Sequence, residues 1–251
     1  MQANPSAQVF NMGERKATFG PNLANARIML YVMPVFGLVG LILLFNIPIG
    51  GIVMLLIAGG LFVGYRLQMR ARAEVYEKGV ATTDWLGRSQ SFRWEEVAAV
   101  YEFIGYHSRT WAPIQWVYTV HLKDGRQVKL DMAYEKVRSL GGTVLAETGK
   151  TFLPQSLEFY RAGKTVAFGE QIAISPAGFV SGGQSLPWDQ VARVVFSRHG
   201  DLTLHKKDQR LPWKLVMHPR IANYPTFRAF LQEVVKGTPA EAAVEDPARQ
   251  A

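Results

Sequence analysis

The chain has 251 residues, 48% of them hydrophobic, with 28 Lys+Arg against 20 Asp+Glu. The 38 residues from Ile28 to Tyr65 contain no Asp, Glu, Lys, Arg or His, a distribution that argues against a wholly soluble protein and against an intrinsically disordered one. No cysteine is present, which excludes disulfides, thiolate metal sites and cysteine nucleophiles.

Residues 1–27 form an N-terminal segment whose first dozen residues are expected to be loose. The uncharged run follows. A bilayer core about 30 Å thick needs roughly 20 apolar residues per helix, so 38 residues suit two spans. Asn46-Ile47-Pro48-Ile49-Gly50-Gly51 divides them, because proline removes a backbone donor and a glycine pair offers a tight turn. The expected helices run near 28–45 and 49–65, a transmembrane hairpin over 28–65, with Pro34 in the first turns of the first span. Gly60 and Gly64 stand at the spacing that lets helices approach closely, and packing against the first span is the expected use, ahead of homodimerisation. Arg15, Lys16 and Arg27 precede the run, and Arg66, Arg70, Arg72 and Lys78 follow it, while the central turn is uncharged. The excess of cations at both ends predicts cytoplasmic termini and an external turn.

The remainder reads as a duplication. Gln90-Ser91-Phe92-Arg93-Trp94-Glu95-Glu96-Val97-Ala98-Ala99-Val100 aligns with Gln184-Ser185-Leu186-Pro187-Trp188-Asp189-Gln190-Val191-Ala192-Arg193-Val194, six of eleven positions being identical. A glycine-turn strand precedes each copy, at Val75–Val80 and at Ile172–Val180. A hairpin follows each: Tyr118–Leu122 returns through Lys123-Asp124-Gly125 into Arg126–Leu130, and Leu202–His205 returns through Lys206-Lys207-Asp208-Gln209. Each copy then ends in a helix, marked by Val137, Leu140, Val144 and Leu145 and by Phe227, Phe230, Leu231 and Val234. The expected domains are therefore 66–150 and 151–235, each an α+β unit. The tail 236–251, rich in Ala, Pro and Glu, is expected to be disordered.

The Trp-x-x-Val strand opening, the glycine-turn strand and the capping helix resemble bacterial PH-like domains, in which a curved sheet or open barrel is covered by a C-terminal helix. The whole layout resembles a bacterial membrane family of uncharacterised function with a transmembrane hairpin and tandem PH-like domains. That resemblance is carried by Gly13-Glu14-Arg15-Lys16-Ala17-Thr18-Phe19, Tyr76-Glu77-Lys78-Gly79-Val80 and Ala162-Gly163-Lys164-Thr165-Val166-Ala167-Phe168-Gly169. It implies the inner membrane as location and supplies no active site.

Catalytic signatures are missing. Gly149-Lys150-Thr151 and Gly163-Lys164-Thr165 lack the upstream glycine of a phosphate loop, where Val144 and Glu158 stand instead. His107, His121, His199, His205 and His218 show no metal-ligand spacing, although His121 and His205 fall at matching places in the two hairpins. Trp94 and Trp188 are read as structural anchors of the two copies rather than ligand-stacking residues. No catalytic residue, metal or cofactor is expected, and the chain is read as no enzyme.

Charge supplies the binding candidates. Residues 66–235 carry 23 Lys+Arg and 16 Asp+Glu. Arg66, Arg70 and Arg72 flank the membrane run, and Lys206, Lys207 and Arg210 cluster in the second hairpin, with Arg193, Arg198 and His199 close in sequence. These six cations, with Trp111 in an aromatic loop, are the candidate contacts for anionic lipid or a protein partner. The expected partners are the bilayer, anionic lipids, and a protein or a second copy. Nucleic acid is not expected, since no basic-aromatic module appears. The reading is a membrane-anchored interaction or scaffolding module, with lipid-headgroup sensing as the alternative.

Overall fold

A computed structural model describes residues 12–107, 110, 113–236, 238 and 244–245. The chain divides into two compact units, residues 1–94 with 130–140 and residues 95–129 with 141–251.

The first unit carries strand β1 (Arg15–Phe19), helices α1 (Leu23–Asn46) and α2 (Pro48–Gln68), and strands β2 (Arg72–Tyr76), β3 (Gly79–Thr83) and β4 (Ser89–Arg93). The four strands make one antiparallel sheet in the order β1-β2-β3-β4. The N-terminal segment is thus part of the sheet, and the two helices are inserted between β1 and β2. Phe19 pairs with Ala73, so the chain leaves the sheet beside the point to which it returns. Ala73, Val75, Val80 and Phe92 are buried on one face, as period-2 alternation requires. Met12, expected to be loose, is also buried, and its carbonyl accepts from Lys78 N at 3.0 Å.

Two apolar helices, 27–46 and 48–68, are long enough to cross a membrane at a 1.5 Å rise per residue. Phe45, Ile49 and Leu56 are 87%, 79% and 70% exposed, which separates these helices from the core helices of a soluble fold. The turn is shorter than its sequence suggested. Ile47 alone joins the helices, Pro48 opens α2, and Gly50 and Gly51 lie in the first turn of α2. Gly51 serves packing, since a Cβ there would stand 2.5 Å from Leu44 N and 2.8 Å from Gly40 O. Gly60 has nothing within 4 Å of its Cβ position, and Gly64 meets only Met29 Sδ at 3.8 Å. Close approach of the helices therefore occurs at Gly40 and Gly51, and the Gly60 side of the expected motif is open. Pro34 lies inside α1 rather than in its first turns, because the helix begins at Leu23.

Among the described residues, the second unit contains three sheets. β5 (Val97–Tyr106), β6 (Pro113–Leu122) and β7 (Gln127–Leu130) form a meander. β8 (Val166–Ala167), β9 (Ala173–Ser175), β10 (Gly178–Ser181) and β11 (Gln184–Pro187) form a second antiparallel sheet. The third holds β12 (Val191–Phe196), β13 (Leu202–Lys206) and β14 (Lys214–Val216), with β15 (Val244–Glu245) parallel to β12. Val244 and Glu245 thus take strand pairing within a tail expected to be disordered; most of that tail lies outside the described residues. Helix α3 (Val137–Arg161) begins in the first unit and runs without a break through position 150, the expected domain boundary, with Pro154 in its interior. Helix α4 (Tyr224–Val234) buries Phe227, Phe230, Leu231 and Val234 against a core that includes Phe168, Ile174, Phe179, Leu186 and Val194. These are the four apolar positions that marked the helix in the sequence.

Candidate functional site

The base of the helical hairpin is built from the first unit alone. Asn22 caps α1, its Oδ1 accepting from Ala24 N at 3.1 Å, and its Nδ2 donates to Met132 O at 3.0 Å. Asn22 N donates to Ala133 O at 2.9 Å, Glu135 N to Gly20 O at 2.8 Å, and Gln68 Nε2 to Asn22 O at 3.3 Å. One asparagine therefore ties the start of α1, the end of α2 and the 132–135 segment together. Tyr134 donates to Thr83 O at 3.3 Å. Burial, with the carboxylates of Asp131 and Asp84 nearby, pushes its hydroxyl up to about 12, so it stays a neutral donor.

The three cations at and beyond the end of α2 have different surroundings. Arg66 stands exposed in the last turn of α2, where a cation also suits the helix dipole. Arg70, also exposed, lies against the β3–β4 loop: a Cβ on Gly87 would stand 3.6 Å from Arg70 Nη1. Arg72 is engaged within the sheet, its Nη2 being 2.5 Å from Glu74 Oε1. Glu74 also accepts from Arg15 Nη1 at 3.1 Å and from the Tyr76 hydroxyl at 2.7 Å. The Tyr76 hydrogen bond, together with Arg72 and Arg15 and against partial burial, holds the Glu74 carboxyl below its ordinary 4.5.

The loop beside Arg70 is closed by hydrogen bonds. Asp84 closes it, accepting from Arg88 N at 2.9 Å and Arg88 Nε at 2.7 Å, while Gly87 N donates to Asp84 O at 2.9 Å. Burial raises the Asp84 carboxyl, and the Arg88 hydrogen bonds and charge outweigh it, leaving the group below its ordinary 3.8. Trp85 and Leu86 at the tip are 47% and 43% exposed. The sequence reading passed over this pair, although Trp-Leu-Gly between two alternating strands was the available signal.

In the second unit, Lys207 and Arg210 are exposed on the β13–β14 loop and Lys206 is half-buried at the end of β13. Arg193 belongs to the same end of that sheet, since it pairs with His205 across β12–β13. Arg198 and His199 lie in the turn at the opposite end, so the cations close in sequence form two groups. Trp111 lies outside the described residues.

Trp94 and Trp188 are both buried. Trp94 Nε1 donates to Glu77 O at 2.9 Å, and Trp188 Nε1 donates to Pro176 O at 3.0 Å. Each backbone N of the pair bonds the next carbonyl, Lys78 O at 3.0 Å and Ala177 O at 3.1 Å. The hairpins that follow share a register shift one step in, so Ala99 faces His121 and Arg193 faces His205. One cluster was not legible beforehand. Glu102 Oε1 accepts from Tyr118 at 2.8 Å, its Oε2 is 3.3 Å from Nε2 of buried His218, and His218 N donates to Asp201 Oδ1 at 2.8 Å. Among the described residues no three His, Asp or Glu side chains are arranged to hold a metal ion.

Comparison with known proteins returns a family without an assigned activity. No curated protein is found to match the chain. A family model described as a family of unknown function, DUF6585, matches residues 1–240. The chain belongs to DUF6585, in agreement with the expected membership of a family whose function is uncharacterised.

Proposed function

We propose that the chain is a non-enzymatic, membrane-anchored interaction or scaffolding module, built from two PH-like domains held at the cytoplasmic face of a bacterial inner membrane. The observation that carries this reading is the insertion of α1 and α2 between neighbouring strands of one sheet. An open four-stranded sheet has unpaired edge groups that a bilayer core cannot satisfy, so the sheet and both helix ends belong on one side. The cations at those ends, Arg15, Lys16 and Arg27 before and Arg66, Arg70, Arg72 and Lys78 after, favour the cytoplasm. Duplication is supported by the matched tryptophan hydrogen bonds and by matched element order. Four strands, a short helical turn at the tryptophan, three strands and a helix occur twice along the chain. That order fits the PH-like reading of 66–150 and 151–235, extended to include β1 in the first copy.

The second reading, recognition of anionic headgroups, is favoured by the exposed Lys207, Arg210 and Leu211 on one loop. Affinity capture of the full chain from native membranes, beside a variant with Lys206, Lys207 and Arg210 reversed to glutamate, separates the two. A stoichiometric protein partner retained by both chains is the expected result. Co-purifying anionic lipid lost from the variant favours the second reading. Recovery of neither contradicts both.

A further inference from the structure

We infer that the β3–β4 loop is a membrane-interface anchor, with the Trp85 and Leu86 side chains seated at the boundary between lipid headgroups and acyl chains. The inference rests on the membrane-crossing reading of α1 and α2. It begins from depth. The α2 helix ends at Gln68, and Arg70 is two residues beyond it. The headgroup layer is about 5–8 Å thick on each side of a 30 Å core, so Arg70 falls within it. A Cβ on Gly87 would stand 3.6 Å from Arg70 Nη1, so the loop lies beside the Arg70 side chain and near its level. All of these residues belong to the first unit.

Composition fits that level. A tryptophan and a leucine, 47% and 43% exposed, stand at the loop tip, and Met69 beside Arg70 is 40% exposed. Tryptophan is the side chain that most favours this layer, having a large apolar body and one donor. Exposed Arg66 and Arg70 supply charge for lipid phosphates. Arg88 is held by Asp84, which makes it the staple of the loop. The twin sheet offers the contrast. At the corresponding place β10 and β11 are joined by Gly182 and Gly183 alone, both at positive φ with open space around them. A five-residue loop with an apolar tip therefore occurs in the sheet that bears the helices, where a bilayer is within reach, and not in its counterpart.

Since the chain has no cysteine, single nitroxide labels are placed at Trp85, Leu86, Leu56 and Glu95 of the otherwise native chain in vesicles of mixed neutral and anionic lipid. Collision with oxygen and with a water-soluble nickel chelate reads the depth of each. Labels at 85 and 86 are placed in separate chains, so that each retains the other apolar residue. The expected result is a nickel accessibility several-fold lower at 85 and 86 than at 95, and intermediate between 95 and 56. Nickel accessibility at 85 and 86 equal to that at 95, with 56 protected, overturns the anchor alone. A water-exposed label at 56 overturns the membrane-crossing reading and the anchor with it.

Discussion

The sheets β1–β4 and β8–β11 share a frame and differ at three places. In both, a strand carrying a Phe-Gly end pairs with the next: Phe19 faces Ala73, and Phe168 N bonds Ile172 O at 2.9 Å. In both, a glycine opens the third strand against the fourth, and a Cβ on Gly79 or Gly178 would collide with the Phe92 or Leu186 carbonyl oxygen. The differences lie in what the frame carries. Between the first two strands stand residues 20–71 in one sheet and 168–172 in the other. The β3–β4 connection is 84–88 in one and 182–183 in the other. Glu74, with its two arginines, occupies the register position that Ala173 fills in the second. A packed β frame tolerates large insertions in its loops because closing a longer loop costs only about 0.6 kcal/mol per doubling of length. The first frame accordingly accommodates a helical hairpin at a place where the second has a short connection.

The strongest way to break this comparison is at the glycines. Gly79→Ala and Gly178→Ala each drive a methyl into backbone that cannot move, and each is expected to destabilise its own sheet by about 3 kcal/mol or more. Urea unfolding followed by fluorine NMR of 5-fluorotryptophan at Trp94 and Trp188 reads the two sheets separately. A small loss at either glycine would mean that the close approaches are not equivalent. Next in size is the indole bond. Trp94→Phe and Trp188→Phe each remove a part-buried indole bond to a turn carbonyl, Glu77 O or Pro176 O, an expected loss of about 0.5–1.5 kcal/mol by circular dichroism melting. Losses of similar size sharpen the equivalence, and a neutral Trp94→Phe would break it.

The smallest expected effect concerns pH and the first sheet alone. The Glu74 carboxyl titrates below 4.5 when folded, so its stabilisation is present above that value and is lost as pH falls through the lowered folded value. Because the Glu74 side chain is partly exposed, the loss is at most about 1 kcal/mol. The Trp94 probe should show it on acidification, the Trp188 probe should not, and Glu74→Gln should abolish the difference.

Much of the frame was legible because it rests on local pattern. The shared Gln-Ser…Trp…Val-Ala segments and the apolar alternation around Val120 and Leu204 mark strands whatever their partners. Phe227, Phe230, Leu231 and Val234 likewise announced α4 and its buried face. The pairing of β1 with β2 was not legible, since 52 residues separate those strands and strand partners across an insertion leave no periodic trace. The glycine pair at 50–51 suggested a turn by composition, and the structure uses Gly51 for helix contact, a use with the same sequence signature. Among the candidate cations, Arg66, Arg70, Lys207 and Arg210 are exposed, and Arg72 is held by Glu74. Strand alternation puts Arg72 and Glu74 on the same face, but nothing in the sequence brings Arg15 to join them. The His218–Glu102 contact joins positions 116 residues apart and was invisible for the same reason.

Side-specific thiol labelling tests the central claim most directly, that the two helices are a there-and-back crossing inserted into one sheet. Single cysteines at Ile49, Glu95 and Lys207, all exposed positions, are treated with a membrane-impermeant maleimide in intact cells and after lysis. The account predicts that position 49 reacts in intact cells, whereas 95 and 207 react only after lysis. Reaction of 49 on the same side as 95 and 207 would contradict it.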